Sequence, residues 1–199
     1  MSEIFEREPE YGNSVGRVNM TGYSGSKWRE VRIDSSTRAT TTITYPHHEI
    51  HAGRFYSVND VIDIAGNKSV TNLFVTPITI REVHMWWSFN SQAETDFKLY
   101  EGVTVTSSGT PITIHNRCRC SLNTSSALIY TGAVVSATGT ALLIHHHWGS
   151  GKDGGDTREV NEWILKSNTV YSSVVVNEVA TANQITFNLD WYEHTPRAE

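Results

Sequence analysis

Apolar and polar side chains alternate strictly along residues 184–192, QITFNLDWY. Successive side chains of a β-strand point to opposite faces, so a period of two predicts a strand with one buried face. The side chains that share the predicted buried face are Ile185, Phe187, Leu189 and Trp191. Helical apolar positions would instead recur every three or four residues. A chain that repeats this pattern is restricted to sheet architectures.

The same alternation recurs through most of the sequence. It is present in REVHMWWSF (81–89), TDFKLYEG (95–102), PITIHNRC (111–118) and TVYSSVVV (169–176). In the first of these, Val83, Met85 and Trp87 share one face, and Trp86 lies on the other face with Glu82 and His84. The turn sequences IAGN, TSSGTP, SATGT and KSNT separate the predicted strands, which indicates a strand about every ten residues.

One segment has features of both a helix and a strand. In TREVNEWILK (157–166), Val160, Trp163 and Ile164 fit helical spacing. Trp163 and Leu165 also alternate, and a turn follows at once, which favours a strand. The predicted fold is therefore all-β: an antiparallel β-sandwich of jelly-roll type.

Residues 1–45 differ from the rest and predict an extended N-terminal arm, with the jelly-roll domain over 46–199. The arm is rich in Gly, Ser, Thr and Asn and contains too few apolar residues to fold alone. A disordered tail is one interpretation. An arm that adds to a neighbouring sheet or subunit is favoured, because four apolar side chains would otherwise stay in water. These interface candidates are Val18, Trp28, Val31 and Ile33.

Composition excludes several classes of partner. The 199-residue chain carries a formal net charge of −5 and no basic stripe, which argues against nucleic-acid binding. No apolar run reaches the roughly 20 residues that a membrane helix requires, so no membrane partner is expected. Two cysteines are too few for a disulfide framework and indicate synthesis in a reducing cytoplasm.

Three consecutive histidines end an apolar run. On a strand, His145 and His147 would share a face and are weak candidates for a metal site, with a third ligand from the segment His47–His51. A cupin-like site would also need a Glu shortly after this pair, but a glycine-rich turn follows. The favoured interpretation is a strand end at a packing surface. We therefore predict no metal, no cofactor and no catalytic residue, and the chain is not expected to be an enzyme.

Cys118 and Cys120 would share a face if their segment were a strand. Their Cα atoms would then lie about 6.5 to 7 Å apart, at the limit for an unstrained bridge. Free thiols are therefore expected, with intermolecular disulfides as the alternative.

Three segments carry a resemblance to a known family: residues 48–77, HEIHAGRFYSVNDVIDIAGNKSVTNLFVTP; residues 161–171, NEWILKSNTVY; and residues 183–194, NQITFNLDWYEH. Together they resemble small virion proteins of tailed bacteriophages, although Ser167 stands where that family more often has proline. The resemblance implies a trimeric jelly-roll decoration (cement) protein that is made in the host cytoplasm and binds the major capsid protein at the capsid surface.

Two other functions remain open from the sequence. The aromatic side chains expected to be exposed are Trp86, Tyr100, Trp148 and Tyr192. They can be subunit-interface residues, or they can stack on sugars in a tail or fibre module that binds host-surface glycan. The second alternative is an enzyme, either a cupin-like metalloenzyme or a glycosidase.

Overall fold

The computed structural model describes residues 21–24, 27–30, 44–79, 81–147 and 162–195. The chain divides into two compact units, Met1–Ile43 and Thr44–Glu199. In the first unit, strands β1 (Thr21–Ser24) and β2 (Lys27–Glu30) pair antiparallel.

The interface candidates of the arm are only partly covered by these ranges. Val18, Val31 and Ile33 lie outside the described residues, and for Trp28 only the backbone, opposite Tyr23, is described. The role of residues 1–45 as an arm therefore stays a prediction.

The second unit contains one helix and thirteen strands among its described residues. The helix, α1 (Tyr45–His51), precedes the strands β3 (Phe55–Ile64), β4 (Ser69–Val75), β5 (Glu82–Ser91), β6 (Thr95–Glu101), β7 (Thr104–Ser107), β8 (Thr110–Pro111), β9 (His115–Asn116), β10 (Leu128–Thr131), β11 (Val134–Ala137), β12 (Thr140–His147), β13 (Trp163–Leu165), β14 (Val170–Asn177) and β15 (Asn183–His194). No described helix is long and apolar enough to span a membrane.

Two antiparallel sheets make up most of this unit. The front sheet has six strands in the order β12-β6-β14-β4-β10-β8, and the back sheet has five in the order β13-β5-β15-β3-β9. Strands β7 and β11 form a separate pair. The long strand β15 lies in the middle of the back sheet, between β5 and β3.

The inner faces of the two sheets pack together into one core. The ring of Trp87 on the back sheet stacks on Phe97 of the front sheet, with 4.0 Å between the centroids. Phe74 of the front sheet meets Trp191 of the back sheet edge-on at 5.3 Å. The side chains predicted to be buried in 184–192 and 81–89 belong to this core. The antiparallel β-sandwich is thus confirmed, while its jelly-roll strand order stays a prediction.

Each of the four predicted turns that the structure describes, IAGN, TSSGTP, SATGT and KSNT, contains a residue with positive φ. These residues are Asn67 (φ 56°), Gly109 (φ 80°), Gly139 (φ 68°) and Asn168 (φ 49°). Asparagine and glycine tolerate this left-handed conformation better than other residues do, which explains why they mark the turns. The strand predicted at Trp163 and Leu165 is also confirmed, as β13.

Two local predictions were wrong. Residues 111–118 do not form one strand, because the chain leaves the front sheet after β8 and joins the back sheet at β9. Ile112 and Ile114 still pack against the core where the chain crosses. The helix α1 was not predicted, since its seven residues are too few to show a helical period.

Candidate functional site

The outer face of the front sheet is unusually apolar. Because side chains alternate along each strand, the residues between the core-facing ones point outward. Across β10, β4 and β14, Leu128, Val75 and Val170 form one outward row. The outward apolar side chains of this sheet, which we call the apolar face, are Leu73, Val75, Tyr100, Leu128, Tyr130, Ala141, Ile144, Val170, Val174 and Val176.

Exposure within the apolar face is substantial. Ile144 is 64% exposed and Leu128 is 50% exposed, whereas Leu73 is buried. Tyr100 and Tyr130 are half-buried. The charged side chains Asp96, Lys98 and His146 also point outward, and Lys98 lies between Ile144 and Val174.

The outer face of the back sheet is more polar over β3, β5 and β15, although Val61 is exposed there. The Asn59 amide donates to Asn188 Oδ1 (2.6 Å), and the Asn188 amide donates in turn to Ser88 Oγ (3.3 Å). The Gln184 amide donates to Asp63 Oδ1 (3.2 Å). Such a ladder of amides and hydroxyls is typical of a solvated sheet face. The contrast makes the apolar face of the front sheet a candidate binding surface.

The aromatic residues at the other end of the back sheet are covered. A buried cluster is formed by Trp86, Phe55 and Tyr192. Tyr45 and Ile50 of α1 pack against it. Trp86 is only 5% exposed. The prediction that it lies at an exposed interface or stacks on sugars is therefore wrong, because the helix that the sequence did not reveal packs over this face. Trp148 lies outside the described residues.

Beside this aromatic cluster, three potential ligands converge. Glu82 on β5 is directly opposite His194 on β15, and His84 is opposite Tyr192, so all four side chains share the outer face. The Nε2 atoms of the two histidines lie 2.8 Å apart. Glu82 Oε2 lies 3.6 Å from His194 Nε2 and 3.9 Å from His84 Nε2. We call Glu82, His84 and His194 the Glu–His cluster.

Both imidazole rings of the Glu–His cluster are held through their other nitrogen. His84 Nδ1 donates to Glu162 Oε1 (2.6 Å), and His194 Nδ1 donates to the carbonyl oxygen of Thr195 (3.0 Å). The Tyr192 hydroxyl donates to the same Glu162 oxygen at 3.1 Å, and its ring stacks on His84. Burial raises the pKa of the Tyr192 hydroxyl, which keeps it a neutral donor.

The predicted histidine pair lies elsewhere. The His145 ring contacts Trp87 and Phe89 at the edge of the core, with centroids 6.4 and 5.8 Å away. The backbone of His147 belongs to β12, but its side chain is not described. Between them, His146 points outward and contacts Asp96 and Glu94. Among the described residues, the Glu–His cluster alone brings three potential ligand atoms within 4.8 Å of one another.

The strand geometry assumed for the cysteines is also wrong. Residues 117–120 form a bend and a turn, in which Cys118 N donates to Asn116 Oδ1 and Ser121 N donates to the Cys118 carbonyl. This turn brings Cys118 Sγ to 2.9 Å from Cys120 Sγ, and both thiols are free. The hydrogen bond between the two thiols lowers the pKa of Cys118 and raises the pKa of Cys120.

Two buried carboxylates have structural partners. Glu49, on α1, accepts two hydrogen bonds from the guanidinium of Arg54 and so fixes the helix to the start of β3. Glu193 accepts hydrogen bonds from Ser125 Oγ (2.7 Å) and Ser126 N (2.9 Å), which ties the 121–127 loop to β15. The partners of these carboxylates explain why each can be buried.

Comparison of the chain with protein-family models, with curated proteins and with solved structures gave no match. The likeness of residues 48–77, 161–171 and 183–194 to tailed-phage virion proteins therefore stays a prediction from the sequence.

Proposed function

We propose that this chain is a structural protein of a tailed-phage virion: a homotrimeric decoration protein of jelly-roll type that binds the major capsid protein at the capsid surface. The observation that carries the proposal is the apolar face of the front sheet. The resemblance of the three sequence segments supports it independently.

The apolar face has the composition of a contact between copies of one chain. Such homo-oligomeric contacts are more apolar than ordinary surface, are depleted of charge and are enriched in tyrosine. Here Tyr100 lies opposite Ala141 and Tyr130 lies opposite Leu73, and the outward charged side chains are confined to β6 and β12. An exposed apolar patch with a polar rim is a common mark of a protein–protein contact. We therefore assign the apolar face to the contact between neighbouring copies.

Contact with the shell is then left to other parts of the molecule. The edge strands β8, β9, β12 and β13 carry backbone groups that can pair with an added strand. The predicted arm, residues 1–45, can lie across neighbouring shell subunits. Three copies joined in one trimer bind a symmetric shell far more tightly than one copy does, because the second and third contacts become intramolecular.

The copy number in purified particles tests the function directly. Quantitative mass spectrometry is expected to find this chain at a number close to that of the major capsid protein. A handful of copies per particle, or copies only in the tail fraction, would contradict a decoration role.

Oligomeric state tests the assignment of the apolar face. Sedimentation velocity of the purified protein is expected to give a trimer. Leu128→Lys and Ile144→Lys each introduce a charge on the apolar face and are expected to shift the protein toward monomer. The matched control is Val61→Lys, since Val61 is 57% exposed on the outer face of the back sheet. A control that dissociates as much as the two test variants would refute the assignment.

The glycan-binding alternative loses two of its four stacking side chains, because Trp86 and Tyr192 are buried. Trp86 is buried beneath the region of α1, so a sugar ring cannot reach it without moving the helix. Glycan binding that is abolished by Trp148→Ala would revive this alternative.

A further inference from the structure

We propose that Glu82, His84 and His194 bind one divalent transition-metal ion of the zinc class. This site goes beyond the virion function and does not depend on it.

Hydrogen bonding fixes which imidazole nitrogens carry protons. A carboxylate and a carbonyl oxygen can only accept, so the Nδ1 atoms that contact Glu162 and Thr195 must be the donors. In a neutral imidazole the other nitrogen then carries a lone pair. Both Nε2 lone pairs are directed into the same space, 2.8 Å apart, with Glu82 Oε2 nearby. Three electron-pair donors that face one another repel unless a proton or a metal ion lies between them.

The separations agree with coordination of one ion. Metal–nitrogen bonds of about 2.0–2.1 Å place two ligands about 3.3 Å apart at a tetrahedral ion and about 2.9 Å apart at right angles. The observed separations of 2.8, 3.6 and 3.9 Å lie around these values. Small rotations of the Glu82 side chain, which is 42% exposed, are enough to complete the set.

The surroundings match those of known metal sites. A metal-binding histidine usually donates its second nitrogen to a carboxylate or a backbone carbonyl, which orients the ring. Glu162 and Thr195 supply one of each. The His84 and His194 side chains are only 12% and 11% exposed, so they are held in place before an ion arrives. An edge-on Tyr45 ring, 5.4 Å from His194, adds to the packing.

The donor types select the class of ion. Two imidazoles and one carboxylate suit zinc and ferrous iron, whereas Mg²⁺ and Ca²⁺ prefer a shell made entirely of oxygen. Three protein ligands leave a coordination position for water or for an atom of another molecule. The ion would also link the end of β15 to the start of β5.

A second pair of imidazoles provides a matched control. His47 and His51, one turn apart on α1, also place their Nε2 atoms 2.9 Å apart. No third ligand atom completes this pair among the residues that the structure describes. It therefore shares the imidazole contact of the Glu–His cluster but not the carboxylate.

The experiment is calorimetric titration of zinc into the full chain without an affinity tag, after treatment with chelator. We expect saturable binding of one zinc ion per chain, with no comparable signal for Mg²⁺. His84→Gln and His194→Gln should weaken zinc binding by at least about 100-fold, since even the loss of an outer partner of a ligand costs about 10–100-fold. The double variant His47→Gln/His51→Gln should bind zinc as the unaltered chain does. Cobalt should compete with zinc for the same site.

The proposal would be overturned by a lack of saturable binding at one ion per chain, by binding that survives His84→Gln and His194→Gln, or by binding that depends on His47 and His51. If a histidine variant fails to fold, Glu82→Gln is sufficient because its side chain is partly exposed. Unchanged zinc affinity in folded Glu82→Gln would also contradict the proposal. Zinc should raise the melting temperature of the unaltered chain and not that of the site variants.

Discussion

Glu82 and His194 lie directly opposite each other on β5 and β15, although the sequence separates them by more than half the chain. Side chains opposite each other in an antiparallel pair have Cβ atoms about 4.5–5.5 Å apart. The register of two strands, and not any local motif, therefore assembles the Glu–His cluster. The same register brings Tyr192 against His84.

Glu162 is expected to control zinc affinity without binding the ion. Glu162→Gln removes the negative charge that His84 Nδ1 faces and makes the imidazole a weaker ligand. Zinc affinity should fall by about 10–100-fold, and Glu162→Asp should recover part of it. The melting temperature without metal should stay close to that of the unaltered chain, because the Glu162 side chain is 36% exposed. The control is Glu178→Gln, an exposed acid outside the cluster. Equal affinities for Glu162→Gln and the control would contradict the role.

Glu193→Gln is expected to destabilise the sandwich. The buried carboxylate accepts hydrogen bonds from Ser125 Oγ, Ser126 N and Trp191 Nε1. In Gln the NH₂ group replaces one carboxylate oxygen, so a donor group would face groups that are themselves donors. Hydrogen bonds to a charged group contribute about 1.5–3 kcal/mol each, so the free energy of unfolding should fall by about 2–3 kcal/mol in urea denaturation. Glu178→Gln should change it by less than about 0.5 kcal/mol. Similar small changes in both variants would show that Glu193 is not needed to hold the 121–127 loop.

The contact between His146 and Asp96 is expected to make stability depend on pH. A hydrogen bond to Asp96 raises the pKa of His146 above its ordinary value of 6.5, and the same contact lowers the pKa of Asp96 below 3.8. The stabilisation from protonated His146 is complete below pH 6.5 and is lost as pH rises through its higher folded-state pKa. The stabilisation from ionised Asp96 is lost as pH falls through its lowered pKa.

Thermal unfolding across this range checks the prediction. His146→Gln should flatten the loss of stability on the alkaline side, whereas His115→Gln, on exposed β9, should leave it in place. An NMR titration should place the His146 pKa above 6.5. A value at or below 6.5, or the same alkaline slope in His146→Gln, would disprove the coupling.

Mild oxidation is expected to join Cys118 to Cys120 within one chain. The two sulfur atoms already lie 2.9 Å apart, and the lowered pKa of Cys118 makes its thiol the first to react. Intact mass should fall by two hydrogens, and non-reducing electrophoresis should still show monomers. Cys118→Ser leaves one exposed thiol and should give linked dimers under the same oxidant. Linked dimers of the unaltered chain would instead support the intermolecular disulfides that the sequence left open.

The strands were predictable because their signal is local. In β15 each apolar side chain that alternates with a polar one reaches the core, and the same holds for Phe97 and Leu99 in β6. The alternation also assigned Trp86 to the outer face correctly, but it could not show that α1 packs there. That helix depends on tertiary contacts such as Glu49 with Arg54, which no periodicity reports.

The candidate sites were harder to predict, since they depend on register and on turns. The only sequence signals for the Glu–His cluster were the outward positions of Glu82 and His84 and the closing residues Tyr192–His194. The conspicuous histidine run drew attention to His145, whose ring packs at the core edge. The cysteine geometry was wrong because Asn116 accepts a hydrogen bond from Cys118 N and so turns the chain out of a strand.

The central position of β15 governs the order in which the back sheet can form. Strands β3 and β5 do not pair with each other, and the strand that joins them is β15, over 90 residues further along the chain than β5. Until β15 is available, both strands keep unpaired edges and exposed aromatic side chains. Contacts between residues so distant in sequence slow folding. The joining of β3 and β5 into one sheet therefore has to wait for β15, and the Glu–His cluster, which includes His194 of β15, cannot form before β15 pairs with β5.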